Sequence, residues 1–479
     1  MAFLTEAANR GSISTGYDID NSLKLEPDNS EFLSITNTSE GSKRTATYSF
    51  WLKRTELDAS SYMQVAGLYN SGETVRFMFY QDHIMLENGW GGTRKRLTTN
   101  AVYRDTSAFY HFVVAIDTTQ STASNRVKLY VNGVQETSFS TEEYPDQNFD
   151  LAIGRSGANF PWRYGAYDAT YYKTAGYLAE AHYIDGTQYA ASDFGEFDSN
   201  SGIWKPKEFT GNYGTQGSYL NFSDASNLGA NPKGSDIDAV LNNITSADQA
   251  TDTPTNNFCT LNLQVANYVN TGGATEGGTK MPYSGVNHYG AWYGTQGFTK
   301  GKWYWEAYIP SRSSTYGLTN EMGAHTMENN VLGSPYYASS FKTNYYLNFH
   351  YGYTYAWDNG TKGSKNSEDG VPALGSSSVG RWIGLALNAD DGEATWYNNG
   401  SQMGNANLDI YDLYDKMQDG IFAVPYFQVY HNDLNVNFGG YSSIAISSAE
   451  TDENGYGSFE YAPPTGYYAL CTKNLAEYG

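Results

Sequence analysis

Apolar residues in this chain recur at every second position over short stretches. In YHFVVAID, Tyr110, Phe112, Val114 and Ile116 share one face. In RVKLYVNG, Val127, Leu129 and Val131 share a face, and Tyr130 points away. That period belongs to half-buried β-strands. Asn132-Gly133 follows, and the pair suits the two positive-φ positions of a type I′ hairpin. The second half repeats the plan. KWYWEAYIP places Trp303, Trp305, Ala307 and Ile309 on one face, and WIGLALN does so with Ile383, Leu385 and Leu387. ATWYNNG then turns at Asn399-Gly400, and LNVNFGG points Leu434, Val436 and Phe438 inward. Long amphipathic helical patterns are scarce. The pattern predicts an all-β chain of tandem β-sandwiches.

Length and composition narrow the classes. A chain of 479 residues that is 40% hydrophobic suits two or three folded domains. No apolar run approaches the ~20 residues of a membrane-spanning helix, and membrane insertion is not expected. The opening MAFLTEAANRGSIS lacks a basic region followed by a long apolar block, so no secretory signal is read there. Synthesis in the cytoplasm and release by lysis are the expectation. The two cysteines, Cys259 and Cys471, are too few for a disulfide framework or a Cys-built zinc site. They are expected reduced, in the first and last strands of the second sandwich. With 29 Lys and Arg against 51 Asp and Glu, the net charge of −22 repels phosphate backbones and argues against nucleic acid. The 43 tyrosines suit half-buried sheet faces and also binding surfaces.

The segments NSLKLEPDNSEFLSIT, TATYSFWLKRT, FYHFVVAIDTT and NRVKLYVNGVQ together resemble a laminin-G-like, concanavalin A-like jelly roll. GKWYWEAYI, RWIGLALNADDG, ATWYNNGSQ, IFAVPYFQ and LNVNFGG resemble a SPRY domain. The tandem is similar to virion proteins of marine bacteriophages. The boundaries read from the sequence are an arm at 1–20, a concanavalin A-like sandwich at 21–224, a polar linker at 225–255 and a SPRY-like sandwich at 256–479. The resemblance implies a fibre or fibre-like appendage that contacts the host surface. Its implied partners are a host glycan and other virion proteins, the latter through the arm, and its implied assembly is a homotrimer. The alternatives are a capsid decoration with no external ligand and a polysaccharide-degrading enzyme.

An enzyme on this fold needs two carboxylates flanking the bond. Glu196–Asp198 and Glu450–Asp452 show Glu-x-Asp spacing, both in loop-like segments without a third carboxylate. The seven histidines show no metal or triad spacing, and His111 reads as an exposed or interface residue opposite the core face. NADDGE, at 388–393, is a solvated acidic loop whose alternative is a Ca²⁺ site. No cofactor, metal or catalytic residue is expected. Aromatic loops are the remaining chemistry, because a pyranose ring offers an apolar face edged by hydroxyls. NFPWRYGAYDATYY and YSGVNHYGAWYGTQG are interrupted by Gly, Pro and Asn and read as loops. Their candidate ligand-binding residues are Trp162, Tyr164, Tyr167, His288, Trp292 and Tyr293. In TNYYLNFHYGYTYAWDNG the aromatics from Tyr345 to Trp357 fall on odd positions and read as one packed face.

Overall fold

The alternating stretches are strands. A computed structural model describes the chain except residues 1–15, 58–61, 71, 91–93, 236, 264–266, 269–272, 284–289, 311–319, 328–342, 350–351, 359–360, 365–369, 375–378 and 430–431. The chain divides into two compact units, Ser14–Thr255 and Asn256–Gly479.

The strands of the first unit are, in chain order, β1 (Ser22–Leu25), β2 (Phe32–Ile35), β3 (Thr45–Arg54), β4 (Tyr62–Asn70), β5 (Glu73–Tyr80), β6 (His83–Trp90), β7 (Lys95–Val102), β8 (Tyr110–Asp117), β9 (Val127–Val131), β10 (Val134–Gln135), β11 (Phe139–Glu142), β12 (Trp162–Tyr164), β13 (Gly176–Asp185), β14 (Gly195–Phe197), β15 (Trp204–Pro206), β16 (Ser218–Leu220), β17 (Val240–Asn242) and β18 (Gln249–Ala250). One sheet runs β10-β9-β8-β3-β13-β1-β18 and the other β11-β7-β6-β5-β4-β12-β2-β17. Between them lie Phe50, Phe77, Phe79, Phe112, Val114, Ile116 and Leu129, all buried. Each such side chain contributes ~1.5–3 kcal/mol on leaving water. The expected inward faces of β8 and β9 are therefore in place.

Residues 225–255 are not a linker. β17 pairs with β2 and β18 pairs with β1, so this segment completes both sheets. Its polar composition misleads because its acids neutralise lysines inside the fold. Lys24 Nζ lies 2.9 Å from both Glu31 and Asp248, and Lys53 Nζ lies 2.8 Å from Asp252, with all five side chains buried. The end of the expected arm also belongs to this unit. The Tyr17 hydroxyl donates to Glu180, and the Ile19 amide donates to Thr255 Oγ1. The anchoring role expected of the arm concerns residues 1–15, outside the described residues.

In the second unit, one sheet centres on Lys302–Ile309 and Arg381–Asn388, and the other on Glu321–Thr326 and Ala423–Val429. Trp303, Trp305, Ile383, Leu385, Leu387, Val436 and Phe438 fill the space between them. Phe258 bridges Cys471, Tyr468–Ala469 pairs in parallel with Lys302–Ile309, and the chain then turns helical at Thr472–Tyr478. Cys259 and Cys471 are free and buried. Cys259 joins the inter-sheet core and Cys471 the cluster around Tyr304 and Phe459, so the thiols point to opposite sides. The expected strand placement is corrected, since both lie outside the named strands, at and beside an isolated bridge. Burial pushes the Cys471 thiol up to about 12. One expected face is corrected. Asn348 pairs with Tyr353, which reverses the parity across the turn, and Tyr346 pairs with Tyr355, their rings 5.2 Å apart. Tyr355 therefore lies with Tyr346, away from Tyr345 and Leu347 in the core.

Candidate functional site

β4, β5, β6 and β7 turn one face to the core and the other outward. Val75, Phe77 and Phe79 alternate inward from β5, which leaves Arg76, Met78 and Tyr80 outward. On this face Arg76 pairs with Glu87 of β6, and Glu87 pairs with Arg96 of β7. On its other side Arg76 pairs with Gly67 of β4, which pairs with Arg163 of β12. Gly67 has φ +135°, and a Cβ there would meet the Val75 carbonyl oxygen at 2.2 Å. Its bare backbone leaves the space above Arg76 to other side chains.

Tyrosines fill the margin of that space. The Tyr69 and Tyr167 rings are 4.6 Å apart, Tyr167 and Tyr172 are 5.4 Å apart, and Tyr62 meets Tyr172 at 5.1 Å. The Arg76 guanidinium lies 5.3 Å from the Tyr167 ring centre and 5.5 Å from that of Tyr69, within cation–π range. Arg94 lies 5.7 Å from Tyr69. Together these groups line a cleft of about 250 Å³. Glu87 is buried in its floor and accepts from Arg76 and, at 2.8 Å, from Arg96, with Arg94 at 3.5 Å. Burial alone would raise the Glu87 pKa. The charges and hydrogen bonds of Arg76, Arg96 and Arg94 outweigh it and hold the carboxyl below its ordinary value.

The segment that carries Tyr167 and Tyr172 is fixed by its backbone. Gly165 donates to the Val65 carbonyl, Thr174 donates to the Gly165 carbonyl, and Gln64 donates to the Tyr172 carbonyl, all within 2.9 Å. The Gln64 side chain donates to the Ala166 carbonyl, Arg163 donates to the Tyr167 carbonyl, and Asp168 accepts from the Thr170 and Tyr171 amides. Such a rim is preorganised, so its ordering cost is met in folding rather than in binding.

The binding residues expected from the aromatic segments divide. Tyr167 is at the cleft. Trp162 and Tyr164 are not loop residues but β12 strand residues facing the core, the indole of Trp162 lying 5.2 Å from Tyr48 and 5.0 Å from Tyr183. Trp292 and Tyr293 are likewise corrected. They occupy the strand Gly290–Tyr293 and are each 1% exposed, too enclosed to stack on a ligand. His288 lies outside the described residues. Tyr62, Tyr69, Tyr172, Arg76, Arg94 and Arg96 were missed, although the alternation in ETVRFMFY already turns Arg76 outward.

His111 is also corrected, for it is buried. Its ring stacks 4.5 Å from Trp51 and 5.9 Å from Trp204, bonds Ser49 Oγ through Nε2, and accepts from Trp204 Nε1 at Nδ1. Burial, aided by the nearby His182, lowers its pKa to about 3. The aspartates of the Glu196–Asp198 and Glu450–Asp452 pairs serve turns. Asp198 accepts from the Asn200 and Ser201 amides, and Asp452 accepts from Tyr456, Ala469 and Asn474. Asp391 of NADDGE accepts from Asn388 and faces Lys302. Among the described residues, no group of three His, Cys, Asp or Glu side chains is placed to hold a metal, and no helix is long and apolar enough to cross a membrane.

Residues 27–171 match the Laminin_G_3 family model, described as the concanavalin A-like lectin/glucanases superfamily. No curated protein matches the chain. Among solved structures, a putative carbohydrate-binding protein from Bacteroides ovatus is 12% identical over 47% of this chain and 59% of that one, less than two thirds of its length, with a TM-score of 0.33. The SPRY domain of human HERC1 is 14% identical over 37% of this chain and 96% of that one, with a TM-score of 0.25. Domains LG4-5 of the mouse laminin alpha1 chain are 8% identical over 89% of this chain and 90% of that one, with a TM-score of 0.29. The chain is an all-β protein of β-sandwich fold whose first unit carries a laminin-G-like, concanavalin A-like domain.

Proposed function

We propose that this chain binds glycan through the tyrosine-rimmed cleft of its first unit, without cleaving it. We place it in a phage virion, on an appendage that contacts the host surface. The observation that carries the binding reading is the fixed rim of Tyr69, Tyr167 and Tyr172 beside outward guanidiniums. Aromatic faces suit the apolar side of a pyranose, and guanidinium N–H groups suit its oxygens. The match to a lectin and glucanase superfamily over residues 27–171 supports a saccharide. The resemblance of the tandem to marine phage virion proteins supports the virion placement.

The purified full-length chain is to be applied to a glycan array and to host cells. Binding that falls about tenfold or more in Tyr167→Ala, with an unchanged melting temperature, is the expected result, since stacked aromatic contacts contribute ~0.5–1.5 kcal/mol beyond buried area. Binding indifferent to Tyr167 would move the site elsewhere. Release of new reducing ends from a bound polysaccharide would make the protein an enzyme. Absence of the chain from purified particles, read by mass spectrometry, would remove it from the virion, and light scattering would read the expected trimer.

A further inference from the structure

We infer that the glycan taken by this cleft is acidic, its carboxylate or sulfate ester held by Arg94 and Arg96. The inference deepens the glycan reading and rests on it. The charges of the cleft do not balance. Glu87 is 1% exposed and is met by three guanidiniums. Neutralising it takes one, and Arg76, itself 7% exposed, is that one. Arg94 and Arg96 remain 37% and 43% exposed over the same carboxylate, with Arg94 beside the Tyr69 ring. A guanidinium offers about five N–H donors, and a carboxylate accepts about four in all, so three guanidiniums exceed what Glu87 can take. Arg76 Nε, enclosed in the floor, has no acceptor among the described residues. Arg163 adds a further cation on the same face, answered by Asp168.

The other face of the same sandwich shows what a balanced arrangement looks like. There Lys24 meets two carboxylates and Lys53 meets one, and neither lysine is left in surplus. In a chain of net charge −22, a local cationic excess inside an aromatic cleft is directional: it draws an anion to that one place. Guanidiniums also favour planar carboxylate and sulfate oxygens, which they bind in pairs. The tyrosine rim selects an anion that carries a ring.

The test is calorimetry on the full-length chain with four probes: alginate oligosaccharides, which carry carboxylates; carrageenan oligosaccharides, which carry sulfates; agarose oligosaccharides, a neutral galactan; and single-stranded DNA. Carrageenan or alginate should bind at least about tenfold more tightly than agarose. That preference should shrink between roughly 50 and 500 mM NaCl as the charges are screened. Arg94→Ala with Arg96→Ala should abolish the preference, and the Lys pair should keep part of it. Should the double variant fail to fold, Arg96→Gln and the salt series on the parent chain give the same reading. If agarose binds as tightly as carrageenan and still depends on Tyr167, the acidic inference falls and the glycan reading stands. If no saccharide binds, both fall. If DNA binds as tightly as the acidic sugars, the cleft recognises polyanions at large, and the inference of an acidic sugar is overturned.

Discussion

On the outer face of the sheet that holds β8, β3 and β13, Trp51, Lys53 and His111 stand as Arg76, Met78 and Tyr80 stand on the outer face of β4–β7. Aromatic and basic groups alternate outward on both. The first face is then covered. Phe194, Trp204, Phe209, Tyr213 and Tyr219 pack over Val113, Tyr130 and Ile184, while Asp248 and Asp252 answer the lysines. Among the described residues, the second face receives the short segment that carries Tyr167 and Tyr172, and it keeps its arginines in excess. Alternation decides which way a side chain points. Whether that direction leads to water is decided by chain that arrives many residues later. The second unit closes a face in the same manner. Glu306, outward on Lys302–Ile309, accepts from the Glu460 and Tyr461 amides and from Tyr304 and Asn437.

The contrast breaks most visibly at the covered ion pairs. Asp252→Ala removes the buried carboxylate that Lys53 meets and should cost ~3–5 kcal/mol, whereas Arg96→Ala on the open face should move stability by no more than ~0.5 kcal/mol. Denaturant unfolding of the two variants checks this, and equal losses would mean the two faces are not different. The covered groups should also give the two units opposite responses to acid. His111 has a folded pKa of about 3 against 6.5 when free, so the unfolded chain takes the proton first. The first unit should therefore lose stability as pH falls from 6.5 toward 3, by up to ~1.4 kcal/mol per pH unit. Burial raises Glu306 to about 7 from 4.5, partly offset by the Glu460 and Tyr461 amides. Here the folded chain takes the proton first. The second unit should be favoured below pH 4.5 and lose up to ~3 kcal/mol as pH rises through 7. Hydrogen exchange resolved by peptide separates the units, and His111→Gln should flatten only the first response.

The hairpin turns give a smaller effect. Gly133 has φ +79° and Gly400 φ +74°, and a Cβ on either would enter a covering ring, Trp204 at 2.3 Å or Tyr461 at 2.5 Å. Gly133→Val and Gly400→Val should each cost ~2 kcal/mol in their own unit by thermal melting. Tyr167→Ala, on the open rim, should cost less than ~1 kcal/mol of stability and act on binding instead.

The two Asn-Gly turns were legible because their chemistry is local. Asn132 has φ 47° and accepts from the His111 amide, and Asn399 has φ 48° and accepts from the Trp382 amide. The inward faces were equally legible, since period two needs no partner to be recognised. What the sequence hid was coverage. Residues 225–255 look like a linker because their acids match lysines some two hundred positions earlier. Trp162 and Trp292 look like loop residues because Gly and Pro surround strands only three or four residues long. The arginines of the cleft were hidden by the net charge, an average that says nothing of where the few cations gather.

The pairing of Ser22 with Ala250 also sets a timetable. A ribosome that has released β1 must add more than two hundred residues before β18 emerges, which at ~5–20 residues per second is roughly 11 to 46 seconds. Until then the free edges of β1 and β2 are open templates for any neighbouring strand, including those of a sister chain on the same messenger. Lys24 of β1 and Lys53 of β3 wait for Asp248 and Asp252 over the same interval. Charge there slows premature collapse and keeps the waiting edge soluble, so the ion pairs that later lock the sandwich also protect it while it is unfinished.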